Sequence, residues 1–492
     1  MAGELKTVPI GPPTGDVEDV FVEVFELDDV REAVDIFDEV SHLRYSCFLD
    51  SSLRMPGYGR HSFICFDPHL VVTTRGRQAE FTCRDGMAIE ARMDPFDALR
   101  AALRYRAVAA GGEDGSLPPF LSGGIGYLSY ELGRYVEELP CTVTDDLGLP
   151  ELAFCFFDRV VAIDHETGKK YIAVTCPAGQ DPGDIAVEAL SAISAGARGG
   201  AMGGPPATGS EGPLTFESGF TREAYLEGVR RVKEYILAGD IYQANLSQRF
   251  SAPLLEPSWR LYRRLRRLNA APFSAYMNFG DFAVASSSPE RFMEVSGRRV
   301  ETRPIKGTRP RSDDPAEDRS QREELLSSAK DRAELSMIVD LERNDLGRVC
   351  DYGSVRVTEH AVLESYATVH HLVSTVVGEL HRGRDIVDLL RATFPGGSIT
   401  GAPKIRSMEI IDEIEPTARS VYTGGIGYLG FNGRHDLNVA IRTMIIGGGR
   451  VRFQVGGGIV ADSDPEAEFQ ETLDKGKAMF EAVTGVSGGA SG

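Results

Sequence analysis

The segment SAGARGGAMGGPPATGSEG, residues 194–212, constrains this chain more than any other stretch. Its Gly, Ala and Pro offer no side chains for a core and no helical or strand period, so it reads as a linker or mobile loop. It separates residues 19–193 from residues 213–485, and both flanks are dense in short apolar runs. Before it, strand-like runs fall at 63–66, 70–74, 154–163 and 170–174, with a helical pattern at 95–105. After it, strands are expected at 242–250, 282–287, 292–295, 300–303, 354–362, 425–431, 439–446 and 451–456. Strands of this length mixed with helices predict an α+β fold with mainly antiparallel sheets. No short-period repeat occurs, so a solenoid is excluded. At roughly 150 residues per domain, 492 residues suggest about three domains or one large double-layered unit.

Helix boundaries are legible from their caps. Thr221 precedes apolar residues at Tyr225, Val229, Val232 and Ile236, and Gly239 stops the pattern. Asp464-Pro465 opens a last helix, with Asp as cap and Pro at the first helical position. One long polar helix is expected over about residues 315–348, and residues 1–18 read as a loose leader.

Charge and cysteine usage narrow the function. The chain carries 53 basic and 73 acidic residues, net −20, a poor match to nucleic acid or an anionic membrane surface. No apolar run reaches a membrane span, and the first residues lack a basic and then apolar signal sequence. The seven cysteines are scattered and form no CxxC, so neither a disulfide framework nor a zinc site is indicated, and a reducing cytoplasm fits. An anionic substrate would need a local basic or metal site.

Candidate chemistry is carried by six patterns. Asp331 and Glu334, and again Glu468 and Glu471, are spaced i, i+3, so each pair shares a helix face. Two such faces could cage Mg2+; equally, Glu468 and Glu471 suit a helix N-terminus, and Glu471 with Lys475 an i, i+4 surface pair. FPGGSITGAPK, residues 394–404, sets glycines before a helix, which suits an anion or a tight turn, and Thr400 and Gly401 lie in it. Gly456, Gly457 and Gly458 end a strand and permit close backbone approach to a ligand. Lys306, in PIKGTRPR, is a nucleophile if desolvated and otherwise a solvated loop lysine. Glu290, in SPERF, is a general acid if buried and otherwise a salt-bridge partner; His371 is a core histidine or a catalyst.

Together these motifs resemble the chorismate-utilising enzymes: anthranilate, aminodeoxychorismate, isochorismate and salicylate synthases. The carrying segments are GDIYQANLSQRF (239–250), SPERF (288–292), PIKGTRPR (304–311) and DRAELSMIVDLERNDLGRV (331–349). They continue with HLVS (371–374), FPGGSITGAPKIRSMEIIDEIEP (394–416), GGIGYLGF (424–431), IRT (441–443) and GGGIVADSDPEAEFQETLDK (456–475). FLDSS (48–52), GRHSFICFDP (59–68) and GGIGYLSYELGR (123–134) match the front half more loosely.

The resemblance implies a four-layer α/β/β/α sandwich of two large antiparallel sheets, like anthranilate synthase component I. It implies Mg2+ held by Glu334 and Glu471, with Asp331 and Glu468 nearby. It implies chorismate bound by Gln243, Thr400, Gly401, Tyr428, Arg442, Lys475 and the Gly456–Gly458 backbone. Glu290 becomes the general acid, Lys306 the nucleophile and His371 a supporting residue. Gln243 stands where the water-using members carry a lysine base, which implies an ammonia user. PIKGT, rather than the PIAGT of anthranilate synthases, points to the aminodeoxychorismate branch. None of the cysteines sits in a Gly-x-Cys-x-Gly elbow, so ammonia is expected from a separate class I glutamine amidotransferase subunit. Asp50 and Ser51, in FLDSS, match a tryptophan-site element and also suit a turn. The alternatives are anthranilate synthase component I and a non-catalytic regulatory subunit that binds chorismate or tryptophan.

Overall fold

Most apolar runs in this chain are too long and too uniformly apolar for a sheet with one wet face, and they form strands buried on both sides. Gly123–Leu128, Leu152–Phe157 and Gly425–Gly430 are buried at every position. The computed structural model describes residues 6–8, 20–55, 57–104, 117–177, 179–199, 214–365 and 369–485. It contains two large sheets, of thirteen and twelve strands. Pairing between their strands is antiparallel.

The two sequence parts interleave. In the first sheet, Ser46–Asp50 from before the linker pairs with Phe273–Asn278 from after it. In the second, Gly123–Leu128 pairs with Gly425–Gly430. Met277 and Val284 of the first sheet meet Tyr127 and Ile426 of the second in the central core. Outside the first sheet, helices Ala33–Asp38, Ser258–Leu268 and Pro465–Thr484 pack around Phe37, Trp259, Tyr262 and Met479. Outside the second, Pro95–Arg104, Ala329–Gly347 and Ile386–Thr393 pack around Leu99, Val339 and Leu390. The order is therefore helix, sheet, sheet, helix, as expected. Each fully buried side chain of this kind contributes about 1.5–3 kcal/mol.

The predicted caps form. Thr221 Oγ1 accepts from the Ala224 amide at 3.2 Å, and Gly239 closes the helix at φ 84°. Asp464 accepts from the Ala467 amide at 3.0 Å ahead of Pro465. Other expectations need correction. The helix expected over 315–348 is two, Pro315–Ser327 and Ala329–Gly347, because Ser328 turns the chain and caps the second by accepting from the Asp331 amide. The run 154–163 is two strands in different sheets, Leu152–Phe157 and Arg159–Asp164. The run 439–446 likewise breaks after Val439 and resumes at Thr443, with Arg442 at φ 49° in the crossover. Helix Pro182–Gly199 continues into the segment read as linker, whose remainder lies outside the described residues. Within the leader, Lys6–Val8 is a strand paired with Val20–Leu27. Among the described residues no helix is long and apolar enough to cross a membrane.

Candidate active site

Two irregularities in the second sheet lie beside the candidate side chains Glu290 and Lys306. Phe292 is bulged out of the pairing between Arg291–Ser296 and Arg434–Val439, two residues after Glu290. Gly307 is bulged between Lys306 and Thr308, which pair with Leu372 and His371. Bulges bend a strand and redirect its neighbours. Gly307 has φ 77°, and a Cβ there would stand 2.8 Å from Leu325 Cδ1 and 2.9 Å from Asp331 Cγ, so only glycine fits. Lys306 and Glu290 both line a cavity of about 620 Å³.

Their electrostatics are complementary. Lys306 Nζ donates to the Ser398 carbonyl at 3.3 Å. Burial pushes its ammonium below the usual lysine range, against the pull of Glu290. Glu290 is buried, and desolvation pushes its carboxyl up, against Ser398 and Lys306. Both shifts favour the uncharged forms, an amine beside a carboxylic acid. His371 Nδ1 lies 2.8 Å from Thr308 Oγ1. Burial, helped by Arg442, lowers its pKa to about 4, so it is a neutral imidazole at pH 7.

The acidic pairs meet across the same cavity, which Asp331, Glu334, Glu468 and Glu471 all line. Helix Ala329–Gly347 carries the first pair and Pro465–Thr484 the second. Glu471 pairs with Lys475 at 2.7 Å, Asp331 with Arg309 at 3.2 Å, and Glu468 accepts from Ser463 Oγ at 2.6 Å. Desolvation raises the pKa of Glu334 and Glu468. A Cβ on Gly457 would lie 3.3 Å from Glu468 Oε2 and 3.4 Å from Glu471 Oε1, so the two carboxylates converge on the bare backbone there. Among the described residues no three His, Cys, Asp or Glu side chains are close enough together to form a metal cluster. The donor set, carboxylate oxygens from two helices facing a wet cavity, nevertheless fits a hard cation that keeps some of its waters.

The remaining wall is cationic and glycine-rich. Arg442 is desolvated, which lowers its pKa, and its guanidinium donates to Asn269 Oδ1 at 3.0 Å. Among the described residues it forms no ion pair, so its charge is open to an anion in the cavity. Lys475 reaches the Gly456 carbonyl at 3.0 Å, and Gly456, Gly457 and Gly458 line the cavity beside it. Arg419 stands behind this wall. Its guanidinium pairs with Glu415 and donates to the carbonyls of Ile399 (3.1 Å) and Asn245 (2.7 Å).

Several predicted residues lie elsewhere. Tyr428 does not face this cavity. It alternates with Gly427 on Gly425–Gly430, meets Phe63 edge-on and Phe120 at a tilt, and lines a second cavity of about 290 Å³. The tyrosine at the active cavity is Tyr422, two residues ahead of the GGIGY motif, followed by Thr423. Thr400 and Gly401 are buried behind the wall: Thr400 Oγ1 donates to the Gly396 carbonyl, and Gly401 pairs with Ala244. Ser398 and Ile399, themselves buried, line the cavity from that loop instead. Gln243 is fully buried against Gly458, with Nε2 3.3 Å from Asn245 Oδ1 and with no partner for Oε1 among the described residues. Asp50 and Ser51 line the second cavity, but their polar groups are committed. Asp50 accepts from Tyr262 and Arg266, and Ser51 donates to the His61 carbonyl at 2.6 Å. Sequence reasoning missed Tyr422, Asn245, Ser398 and Arg419. Only VYTGG, adjoining a recognised motif, carried any signal for them.

Fold and site together define a chorismate-utilising enzyme. Residues 55–481 match the chorismate binding enzyme family, and the chain belongs to it. It is similar to aminodeoxychorismate synthase component 1 of Salmonella typhimurium, 41% identical over 439 residues, 89% of this chain and 93% of that one. It is equally similar to anthranilate synthase component 1 of Thermus thermophilus, 43% identical over 410 residues, 83% of this chain and 87% of the relative. Among solved structures, anthranilate synthase component I from Streptococcus pneumoniae superposes with a TM-score of 0.74. It is 32% identical and the match covers 87% of this chain and 93% of that one.

Proposed function

We propose that this chain is component I of an aminodeoxychorismate synthase, converting chorismate and ammonia to 4-amino-4-deoxychorismate for 4-aminobenzoate and folate synthesis in the cytoplasm. The observation that carries this is Lys306 in the cavity, desolvated and facing a buried Glu290. The neutral amine adds to C2 of chorismate as the C4 hydroxyl departs, and Glu290 gives that hydroxyl its proton, so water leaves. Ammonia then adds at C4, the C2–N bond breaks, and Glu290 recovers a proton from the incoming nitrogen. The enolpyruvyl group is retained. Arg442 and Lys475 hold substrate carboxylates, and the glycine strand lets the ring approach the backbone. Neutral His371 orients the ring edge.

Glu334 and Glu471, with Asp331 and Glu468 beside them, would hold Mg2+, which supplies a Lewis-acid grip on a substrate carboxylate. Such local charge lets a chain of net −20 bind a dianion. Ammonia comes from a separate class I glutamine amidotransferase subunit. Tryptophan is proposed as the occupant of the second cavity, whose aromatic and polar lining includes Tyr58, Phe63, Tyr428 and Arg291.

Incubation with chorismate, Mg2+ and ammonium, comparing the native chain with Lys306→Ala, tests the reading. Aminodeoxychorismate, with a covalent adduct seen by intact mass only when Lys306 is present, supports it. The 43% identity to an anthranilate synthase favours the second reading, anthranilate synthase component I. Fluorescent anthranilate that persists in Lys306→Ala would establish that reading instead.

A further inference from the structure

Glu342 lies on the helix that bears Asp331 and Glu334, two turns further along, and nothing in the reaction above uses it. Its Oε2 is 2.7 Å from Thr302 Oγ1, and the same hydroxyl is 2.9 Å from the Phe292 carbonyl. Thr302 is buried and has one proton to give. Phe292 is the bulged residue, and its carbonyl, which can only accept, takes this hydroxyl as its donor. If Thr302 donates to an ionised Glu342, the Phe292 carbonyl loses its donor. Both contacts are satisfied only when Thr302 donates to Phe292 and Glu342 itself donates to Thr302.

We propose that Glu342 is a positioning residue that works as a neutral acid. Its carboxyl donates to Thr302, Thr302 donates to Phe292, and the chain segments bearing Glu290 and Lys306 are thereby tied to one helix. Phe292 follows Glu290 by two residues, and Thr302 precedes Lys306 by four, so the tie sits at the root of both reactive groups. The charged groups facing Glu342 agree with this state. Glu290 and Asp345 oppose its ionisation, Lys404 favours it, and burial dominates, pushing the carboxyl up to about 8. Ionisation would break the tie, so the reaction slows as pH rises.

This inference rests on the roles given to Glu290 and Lys306, so the experiment carries its own control. Chorismate consumption with Mg2+ and ammonium is followed from pH 6 to 10 for the native chain, Glu342→Gln, Glu342→Leu, Lys306→Ala and Glu290→Gln. The amide of Glu342→Gln can donate to Thr302 but cannot ionise. Its kcat should stay within about twofold of native at pH 7, and its alkaline limb, then set by loss of the Glu290 proton alone, should lie at higher pH than the native one, which falls about tenfold per unit or more above pH 8. Glu342→Leu should lower kcat at least tenfold at every pH, with KM for chorismate little changed, as expected for misplaced reacting groups. Should the Leu variant fail to fold, the Gln pH profile decides alone. Identical alkaline limbs in native and Gln chains would overturn the proposal, as would a Leu variant of native kcat. Full activity in Lys306→Ala and Glu290→Gln would instead overturn the reading of the site beneath it.

Discussion

Replacing Arg419 by Met should be among the most damaging single changes in this protein. Arg419 and Glu415 are each 2% exposed in their side chains and paired at 2.7 Å. Glu415 also accepts from the Ser247 amide and hydroxyl at 2.8 and 2.9 Å. Losing the guanidinium leaves Glu415 as a buried charge with only those two donors, and strips the carbonyls of Ile399 and Asn245 of theirs. Removing one partner of a buried pair costs about 3–5 kcal/mol, because the remaining charge is uncompensated. That is a large share of the roughly 5–15 kcal/mol that stabilises a folded domain. Urea unfolding can be followed through Trp259, the single tryptophan, which is buried in the native state. The double variant Glu415→Gln/Arg419→Met removes the stranded charge and should recover part of the loss, since adjacent sites are not additive. A single-variant cost under about 1 kcal/mol, or a double variant no better than the single, would refute the claim that the pair is desolvated and mutually dependent.

Other expectations follow from the same geometry. Gly457→Ala would crowd Glu468 and Glu471 at 3.3 and 3.4 Å; the Mg2+ concentration for half-maximal turnover should rise several-fold while the melting temperature stays near native. Glu334→Gln and Glu471→Gln, or removal of Mg2+ with EDTA, should each abolish chorismate turnover, and added Mg2+ should restore only the chelated native chain. His61, His371 and His435 are all held near pKa 4 by burial, against 6.5 when unfolded. Between those values the unfolded state binds more protons, so stability is full above about pH 6.5 and is lost as pH falls toward 4. Urea midpoints at pH 7 and pH 5 should show this, and His371→Gln should weaken the dependence by one histidine's share.

The branch of the family is where sequence and structure speak to different questions. The proposed branch rests on one residue type, Lys306, whose identity is plain in PIKGT. Whether the lysine can act depends on its desolvation and on Glu290, and both come from distant segments folded around one cavity.

Local determinants were legible in the chain itself. Thr221, Gly239 and Asp464-Pro465 end helices through contacts within a few residues, so their spacing suffices. The i, i+3 acidic pairs share helix faces for the same reason. Tertiary structure decided everything that depends on which face of a doubly buried strand looks where. Tyr428 and Tyr422 are both buried aromatics beside glycines, and no periodicity separates them, because neither face of Gly425–Gly430 meets water. Only packing shows that Tyr428 closes the second cavity while Tyr422 closes the active one. The crossings at Asp158 and at 440–442 were hidden for the same reason, since an apolar run stays apolar when it passes from one sheet to the other. The bulges at Phe292 and Gly307 belong to strand register, a relation between segments that a single sequence does not contain.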